Sequence, residues 1–205
     1  MNYESMLEYV KNKLTEANAL KSPNPLHPFR DRFMHTIRVY NWAKVIHEDL
    51  DCNLDVLYTA AIFHDVGYSL GKQNHALSSS IIFEEYAKEN GFDKEFTKSV
   101  SNIIKLHSDK KLLNDPNSCN ELIILQEADL LDEEGALGII WDLLAIGKKE
   151  DLTYYDSIDA LKHSGHILEQ EYMVTKKAKE IWDKKKELVR QFIEETKKDL
   201  FLEDL

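Results

Sequence analysis

Apolar residues recur along this chain every three or four positions, which is the period of an α-helix. Segments that alternate residue by residue, as strands do, are absent from the sequence. After an opening helix, the pattern predicts helices near residues 31–50, 54–66, 76–90, 93–108, 118–130, 132–147 and 151–164, and a long closing helix near 168–199. We therefore expect an all-α helical bundle with a long C-terminal helix.

The segments between these helices contain residues typical of helix ends. The motifs "VGYSLGKQN", "NGFD", "NDPNS" and "SGH" interrupt the helical period, and three prolines predict a loop at residues 22–28. Asp93 and Asp132 are predicted N-caps, and Gly91 is a predicted C-cap. Internal repeats and low-complexity tracts are absent. A length of 205 residues suits one domain, so we expect a single domain over residues 1–205.

Polar side chains interrupt the apolar stripes of four predicted helices. His35 begins the stripe of "HTIRVYNWAKVI", and His64 ends the stripe of "AAIFHDVG" with Asp65 beside it. Asp129 and His107 lie on the apolar faces of "ILQEADLLD" and "VSNIIKLHS". A single histidine in such a place is usually a hydrogen-bonded core residue, whereas this combination indicates a shared site.

Two inward-facing carboxylates among imidazoles need a counter-charge, because burying an unpaired carboxylate costs several kcal/mol. A divalent cation satisfies this need, since neutral imidazole and carboxylate are usual ligands of such ions. The mixed ligand set argues against Ca²⁺ and fits Mn²⁺ or Fe²⁺ better than Mg²⁺.

The acidic balance of the chain restricts its partners. Lys plus Arg number 26 against 37 Asp plus Glu, a net charge of -11, so we expect neither duplex nucleic acid nor a membrane as partner. The sequence lacks the apolar run of a membrane span or signal peptide. Cys52 and Cys119 are far apart, which predicts reduced thiols in a cytoplasmic protein. The amphipathic closing helix is compatible with a monomer or a homodimer.

The order His35, His64-Asp65, Asp129 resembles the H…HD…D signature of the HD-domain phosphohydrolase superfamily. The three segments that carry these residues resemble the metal-binding helices of that family, and "HALSSSIIFEEYAKENGF" and "VSNIIKLHS" resemble the helices between them. The likeness covers about residues 28–150. The C-terminal extension, about 151–205, resembles that of small bacterial HD proteins similar to nucleoside-triphosphate pyrophosphohydrolases.

The resemblance implies that His35, His64, Asp65 and Asp129 coordinate a divalent metal. Mn²⁺ and Fe²⁺ are the first candidates, and Ni²⁺, Co²⁺, Zn²⁺ and Mg²⁺ also occur in the family. Asp65 would in addition orient the attacking water, which makes it a predicted catalytic residue.

His75 and His107 have two roles open to them under this resemblance, besides a plain structural one. They hold a second metal that Asp65 bridges, or they face the substrate phosphate and act as a general acid. Some two-metal members have a pair of histidines where this chain has His107 alone, which argues against the second metal.

Three cationic side chains are predicted to bind substrate phosphates. Arg30 and Arg32 precede the first predicted ligand, and Lys72 lies in the loop after the HD pair. A surface or structural salt bridge is the alternative for each of them. Arg38 is predicted to form an ion pair with an acidic neighbour.

The function that these observations predict is hydrolysis of a nucleotide by metal-activated water, with a (deoxy)nucleoside triphosphate as the first candidate substrate. The alternatives are a two-metal phosphodiesterase or dinucleotide hydrolase, a di-iron oxygenase, and a nucleotide sensor without turnover. The sequence contains no GxGxxG, Walker, Gly-x-Ser-x-Gly or HExxH motif.

Overall fold

The computed structural model describes residues 1–22, 29–71 and 73–202. Over these ranges the chain forms nine α-helices, and its only β-type pairing is an isolated bridge between Lys21 and Asp31. The prediction of an all-α fold with a long C-terminal helix is confirmed. The helices are α1 (Tyr3–Glu16), α2 (Arg32–Ile46), α3 (Leu54–Phe63), α4 (His75–Glu89), α5 (Lys94–Leu106), α6 (Asn120–Glu133), α7 (Ala136–Ile146), α8 (Tyr154–Leu168) and α9 (Lys176–Phe201).

Two of the three predicted caps are confirmed. The side chain of Asp93 accepts hydrogen bonds from the backbone N–H groups of Glu95 and Phe96, at 2.8 and 3.0 Å. Gly91 follows the end of α4 with a φ of +68°, a left-handed conformation that favours glycine. The third prediction, an N-cap at Asp132, is wrong, because Asp132 lies inside α6 and its carboxylate contacts His35 on α2.

The predicted break at residues 164–166 is also wrong. Helix α8 continues through Gly165 to Leu168, and α9 begins at Lys176 instead of near residue 168. A Cβ atom at Gly165 would lie 3.5 Å from the side chain of Ile193, an ordinary van der Waals distance, so α8 packs beside α9 at this residue. The side chain of Thr175 caps α9 by accepting a hydrogen bond from Ala178 N.

Helix α3 is the centre of the core, and α1, α2, α5 and α6 pack around it. Its last residues, Ala60 to Phe63, are fully buried. Burying a side chain as large as Phe63 contributes about 1.5–3 kcal/mol. Because His64 and Asp65 directly follow this buried segment, they lie inside the bundle.

The turn after α3 is held close to α4 by a glycine. Residues Val66–Leu70 form a 3₁₀ helix, in which Gly67 N donates a 2.7 Å hydrogen bond to Ser79 Oγ. A Cβ atom at Gly67 would lie 2.1 Å from the backbone oxygen of His75, so only glycine fits at this position. The close contact places His75, the first residue of α4, beside the HD pair.

None of the helices in the described part of the chain is both long and apolar enough to cross a lipid bilayer.

Candidate metal centre

The structure brings the four predicted metal ligands together from separate helices. His35 lies in the first turn of α2, His64 and Asp65 directly follow α3, and Asp129 lies on α6. His35 Nε2 is 3.2 Å from both His64 Nε2 and Asp129 Oδ1. Asp65 Oδ2 is 3.6 Å from His35 Nε2 and 3.8 Å from His64 Nε2.

These separations suit a shared cation. Ligand atoms about 2.1 Å from an ion and at right angles to one another are about 3 Å apart. Among the described residues, two groups of three side chains each offer one ligand atom per residue within 4.8 Å of the others, namely His35 with His64 and Asp129, and His64 with Asp65 and His107. The residues of this centre could therefore hold a divalent metal ion.

The imidazoles are oriented by hydrogen bonds on their outer nitrogens. His64 Nδ1 donates to the backbone oxygen of Ala61 at 2.8 Å, and His107 Nδ1 donates to that of Ile104 at 2.6 Å. Since each of these acceptors fixes the ring proton on Nδ1, the Nε2 lone pair faces the centre of the site. That is the tautomer that a metal ligand requires.

His35 is oriented in the same way by a carboxylate. Its Nδ1 lies 2.7 Å from Asp132 Oδ2, and Arg38 donates to both oxygens of Asp132 at 2.6 and 3.0 Å. This confirms the predicted ion pair of Arg38 and gives the role of Asp132 that the N-cap prediction missed. A carboxylate behind a ligating histidine raises its basicity and holds its ring in place.

Burial and neighbouring charges shift the pKa values in this centre. Burial opposes charge on His35, but its hydrogen bonds to Asp129 and Asp132 outweigh burial and raise the pKa to about 9. Burial lowers the pKa of His64 to about 4, so its ring is neutral. Burial also opposes charge on Asp65, yet the surrounding imidazoles hold its pKa below the ordinary range. A cation added here would meet carboxylates that are already ionised.

The carboxylate of Asp65 has a different environment at each oxygen. Oδ2 faces His35 and His64, whereas Oδ1 lies 3.5 Å from His75 Nε2 and 3.5 Å from His107 Nε2. The two further histidines of the prediction thus lie together on the second side of Asp65. Burial lowers the pKa of His75, so its imidazole is neutral at neutral pH.

Tyr68 is a site residue that the sequence reasoning missed. The Arg32 guanidinium carbon lies 3.2 Å from the centre of its ring, and the His75 ring stacks on it at 4.4 Å and 9°. Two groups this close to one ring cannot share a face, so Tyr68 lies between them. Arg32 Nη1 is also 3.6 Å from Asp65 Oδ2. The position of a tyrosine directly after the HD turn is the signal that was available.

Lys110 was missed as well. It lies in the 3₁₀ helix Lys110–Asn114, and its Nζ is 2.6 Å from Asp129 Oδ2. Burial opposes charge on Asp129, but Lys110 and His35 hold its pKa well below the ordinary value. The available signal was the spacing of Lys110, one helical turn after His107.

Arg30, another of the predicted cations, pairs with a residue outside the metal centre. Arg30 forms an ion pair with Glu133, and its guanidinium lies 4.4 Å from the ring of Trp141. Its contact with substrate stays a prediction. Lys72 lies outside the described residues.

Comparison with known proteins agrees with this geometry. Residues 32–134 match the HD domain family. The chain is similar to the uncharacterized protein YpgQ of Bacillus subtilis, with 30% identity over 171 residues that span 81% of this chain and 82% of that protein.

Solved structures show the same fold. An HD-superfamily hydrolase from Bacillus thuringiensis superposes with a TM-score of 0.71 at 22% identity, covering 97% of this chain and 96% of that one. Bacillus subtilis YpgQ in complex with ADP superposes with a TM-score of 0.69 at 24% identity, covering 96% and 94%. These structures show the shared fold, and the match of residues 32–134, half of the chain, to the HD domain family shows that the chain belongs to the HD-domain family of metal-dependent phosphohydrolases.

Proposed function

We propose that this protein hydrolyses a phosphoanhydride or phosphoester bond of a nucleotide, with a (deoxy)nucleoside triphosphate as the first candidate. The observation that carries the proposal is the convergence of His35, His64, Asp65 and Asp129 at ligand distances inside the bundle. A divalent ion bound by these side chains supplies water of lowered pKa and draws charge from the phosphoryl oxygens.

The residues around this centre have distinct tasks in the proposal. Asp65 accepts a hydrogen bond from the attacking water and orients it toward phosphorus. Arg32, which lies beside Asp65, compensates the charge that develops on the phosphoryl oxygens. Tyr68 supports Arg32 and His75 by stacking between them.

The choice of Mn²⁺ or Fe²⁺ follows from the ligand types. Two imidazoles and two carboxylates are intermediate between the all-oxygen sets of Mg²⁺ and Ca²⁺ and the thiolate sets of softer ions. The nucleotide substrate is supported by the relative YpgQ, whose structure was determined in complex with ADP. Free cysteines are consistent with a reducing, cytoplasmic location.

The experiment that tests this proposal combines metal analysis with product analysis. Purified protein, its His64→Ala variant and its Asp65→Ala variant are compared for bound metal and for phosphate and pyrophosphate release from a nucleotide panel. We expect the wild type to hold metal and release one of these products, and both variants to lose metal and activity together. Two metal ions per chain without any release would favour the di-iron oxygenase, and the absence of bound metal would favour the sensor.

A second candidate function is a two-metal phosphodiesterase, and the environment of Asp65 favours it. Its Oδ1 faces His75 and His107 while its Oδ2 faces His35 and His64, as a bridging carboxylate would. Metal content distinguishes the candidates, since two ions per wild-type chain and one per His107→Ala chain would support the two-metal enzyme.

A further inference from the structure

The backbone turn that follows α5 brings two side chains to the metal centre. His107 Nε2 lies 3.5 Å from Asp65 Oδ1, and Lys110 Nζ lies 2.6 Å from Asp129 Oδ2. Only two residues separate His107 from Lys110 in the chain, so the backbone of residues 106–110, called here the 106–110 turn, sets both positions. A group that holds this turn therefore also holds two side chains of the site.

A fully buried glutamine on α6 makes hydrogen bonds to the 106–110 turn. The side-chain nitrogen of Gln126 donates to Asp109 O at 2.7 Å and to His107 O at 3.1 Å. Leu106 O, at the end of α5, lies 3.4 Å from the same nitrogen. Carbonyl groups at a helix end lack donors within the helix, and buried carbonyl groups need partners from elsewhere. Gln126 supplies such a partner from a different helix.

The three carbonyl groups also decide the orientation of this amide. An exchange of its nitrogen and oxygen would place Oε1 against carbonyl oxygens, which cannot donate a hydrogen bond. In the observed orientation, Gln126 Oε1 has no hydrogen-bond partner in the part of the chain that the structure describes. An unpaired buried acceptor lowers stability, and exceptions of this kind are expected at functional sites.

Gln126 is also close to a predicted ligand along its own helix. It lies three residues before Asp129 on α6, which places the two side chains on one face of that helix. The same face of α6 thus carries a predicted metal ligand and the residue that holds the 106–110 turn.

We infer that Gln126 is a positioning residue, which holds His107 and Lys110 at their distances from Asp65 and Asp129. It acts through the backbone of the 106–110 turn, with which its amide makes its hydrogen bonds. The inference rests on the metal centre of the proposed function, and it is tested by binding alone, without turnover.

The test measures two dissociation constants of the full-length protein by calorimetry. The first is that of Co²⁺, and the second is that of α,β-methylene-ADP at saturating Co²⁺, a nucleotide whose two phosphorus atoms are joined by carbon. A metal-binding His107 affects the first constant, and a phosphate-facing His107 affects the second. Gln126→Met keeps a side chain of similar length and removes the donor, so we expect at least one constant to weaken about 10- to 100-fold, as loss of a partner behind a ligand does.

A double-mutant cycle separates positioning from a general structural role. The reference variant carries His107→Ala and Lys110→Met, and it shows which constant these two side chains control. In this background Gln126→Met should change that constant by less than about 2-fold, because the groups that Gln126 positions are already absent. Gln126→Asn, whose amide is one methylene farther from the turn, replaces Gln126→Met in the cycle if the latter does not fold.

The matched control is Glu127→Gln, at the next position of α6. Glu127 is also fully buried, and it accepts hydrogen bonds from the backbone N–H groups of Val174 and Thr175, at the start of α9. This exchange should lower the urea concentration at the midpoint of unfolding and leave both dissociation constants unchanged.

Three results would overturn the inference. They are binding of both probes by Gln126→Met as by the wild type, an equal loss from Gln126→Met with and without His107 and Lys110, and a reference variant that binds both probes as the wild type does. Undetectable Co²⁺ binding by the wild type would remove the metal centre and this inference together. If the cycle gives the expected result while the wild type hydrolyses no nucleotide, the positioning role stands and the proposed hydrolysis fails.

Discussion

Two carboxylates on α6, the buried Glu127 and the half-buried Asp129, have opposite environments although they are two residues apart. Glu127 accepts hydrogen bonds from Val174 N at 2.5 Å, from Thr175 N at 2.8 Å and from Thr175 Oγ1 at 2.8 Å. Asp129 lies between His35 Nε2 at 3.2 Å and Lys110 Nζ at 2.6 Å.

The difference separates a structural carboxylate from one suited to bind a cation. Burial raises the pKa of Glu127, and hydrogen bonds from uncharged groups offset it only in part. The pKa of Asp129 is held well below its ordinary value despite burial, because its neighbours are Lys110 and the imidazole of His35. The hydrogen bonds of the first carboxylate come from residues at the start of α9, whereas the second is ionised beside Lys110 and His35.

The largest expected effect is that of Asp129→Asn. The change keeps the shape of the side chain and removes the charge that a cation needs, so bound metal should be lost and hydrolysis should fall on the order of 10³-fold. Metal analysis and nucleotide turnover measure both effects, and circular dichroism checks that the helices persist. Full metal content in this variant would remove Asp129 from the ligand set.

Asp132→Asn should have the next largest effect. The carboxylate of Asp132 orients His35 without facing the centre, so its loss should weaken metal affinity about 10- to 100-fold. Arg38→Gln is the control, because it leaves the contact between Asp132 and His35 intact. We expect a smaller loss for it in a competition assay with a chelator, and an equal loss would mean that the ion pair matters more than the histidine contact.

Glu127→Gln should have the opposite effect to Asp129→Asn: it should lower the stability of the fold and leave metal binding unchanged. The glutamine oxygen can still accept from the backbone N–H groups of Val174 and Thr175, but its amide nitrogen cannot accept the hydrogen bond that Thr175 Oγ1 donates to Glu127 Oε2, so the free energy of unfolding should fall by about 1–3 kcal/mol. Urea denaturation measures the fall, and metal content is determined on the same sample. Loss of metal at full stability would contradict the distinction between the two carboxylates.

Glu134, which directly follows α6, is a third carboxylate, and its pKa makes the stability of the fold depend on pH. Burial raises its pKa to about 7, with a further increase from Asp142 and a decrease from Lys185. The folded protein therefore holds the proton of the Glu134 carboxyl group more tightly than the unfolded chain does. The stability that this bound proton contributes is lost as pH rises from about 4.5 to 7.

Glu134→Gln removes the cost of ionising this group. We expect the variant to be more stable than the wild type by about 1–2 kcal/mol at pH 8 and no more stable at pH 4.5. Thermal unfolding at the two pH values measures the difference. A constant difference between the proteins would show that Glu134 does not titrate in this range.

The errors of the sequence reasoning have one physical origin. Asp132 satisfies the local rule for an N-cap, but its partners His35 and Arg38 lie on α2, about a hundred residues earlier in the chain. Gly165 is a typical break residue, yet α8 continues through it to Leu168 and packs there beside Ile193 of α9. Rules that use only neighbouring residues cannot include such partners.

The sequence by itself determined the helical period, the order of the helices and the inward direction of His35, His64, Asp65 and Asp129. These follow from 3.6-residue geometry and from the cost of burying polar groups, both of which are local.

Only the tertiary structure decided how these residues meet. In the folded protein, the two carboxylate oxygens of Asp65 face different pairs of histidines, and Lys110 Nζ lies beside the carboxylate of Asp129. The ring of Tyr68 lies between Arg32 and His75. Distances between side chains on different helices depend on the packing of the whole core, and close contacts such as that of Gly67 with α4 set them.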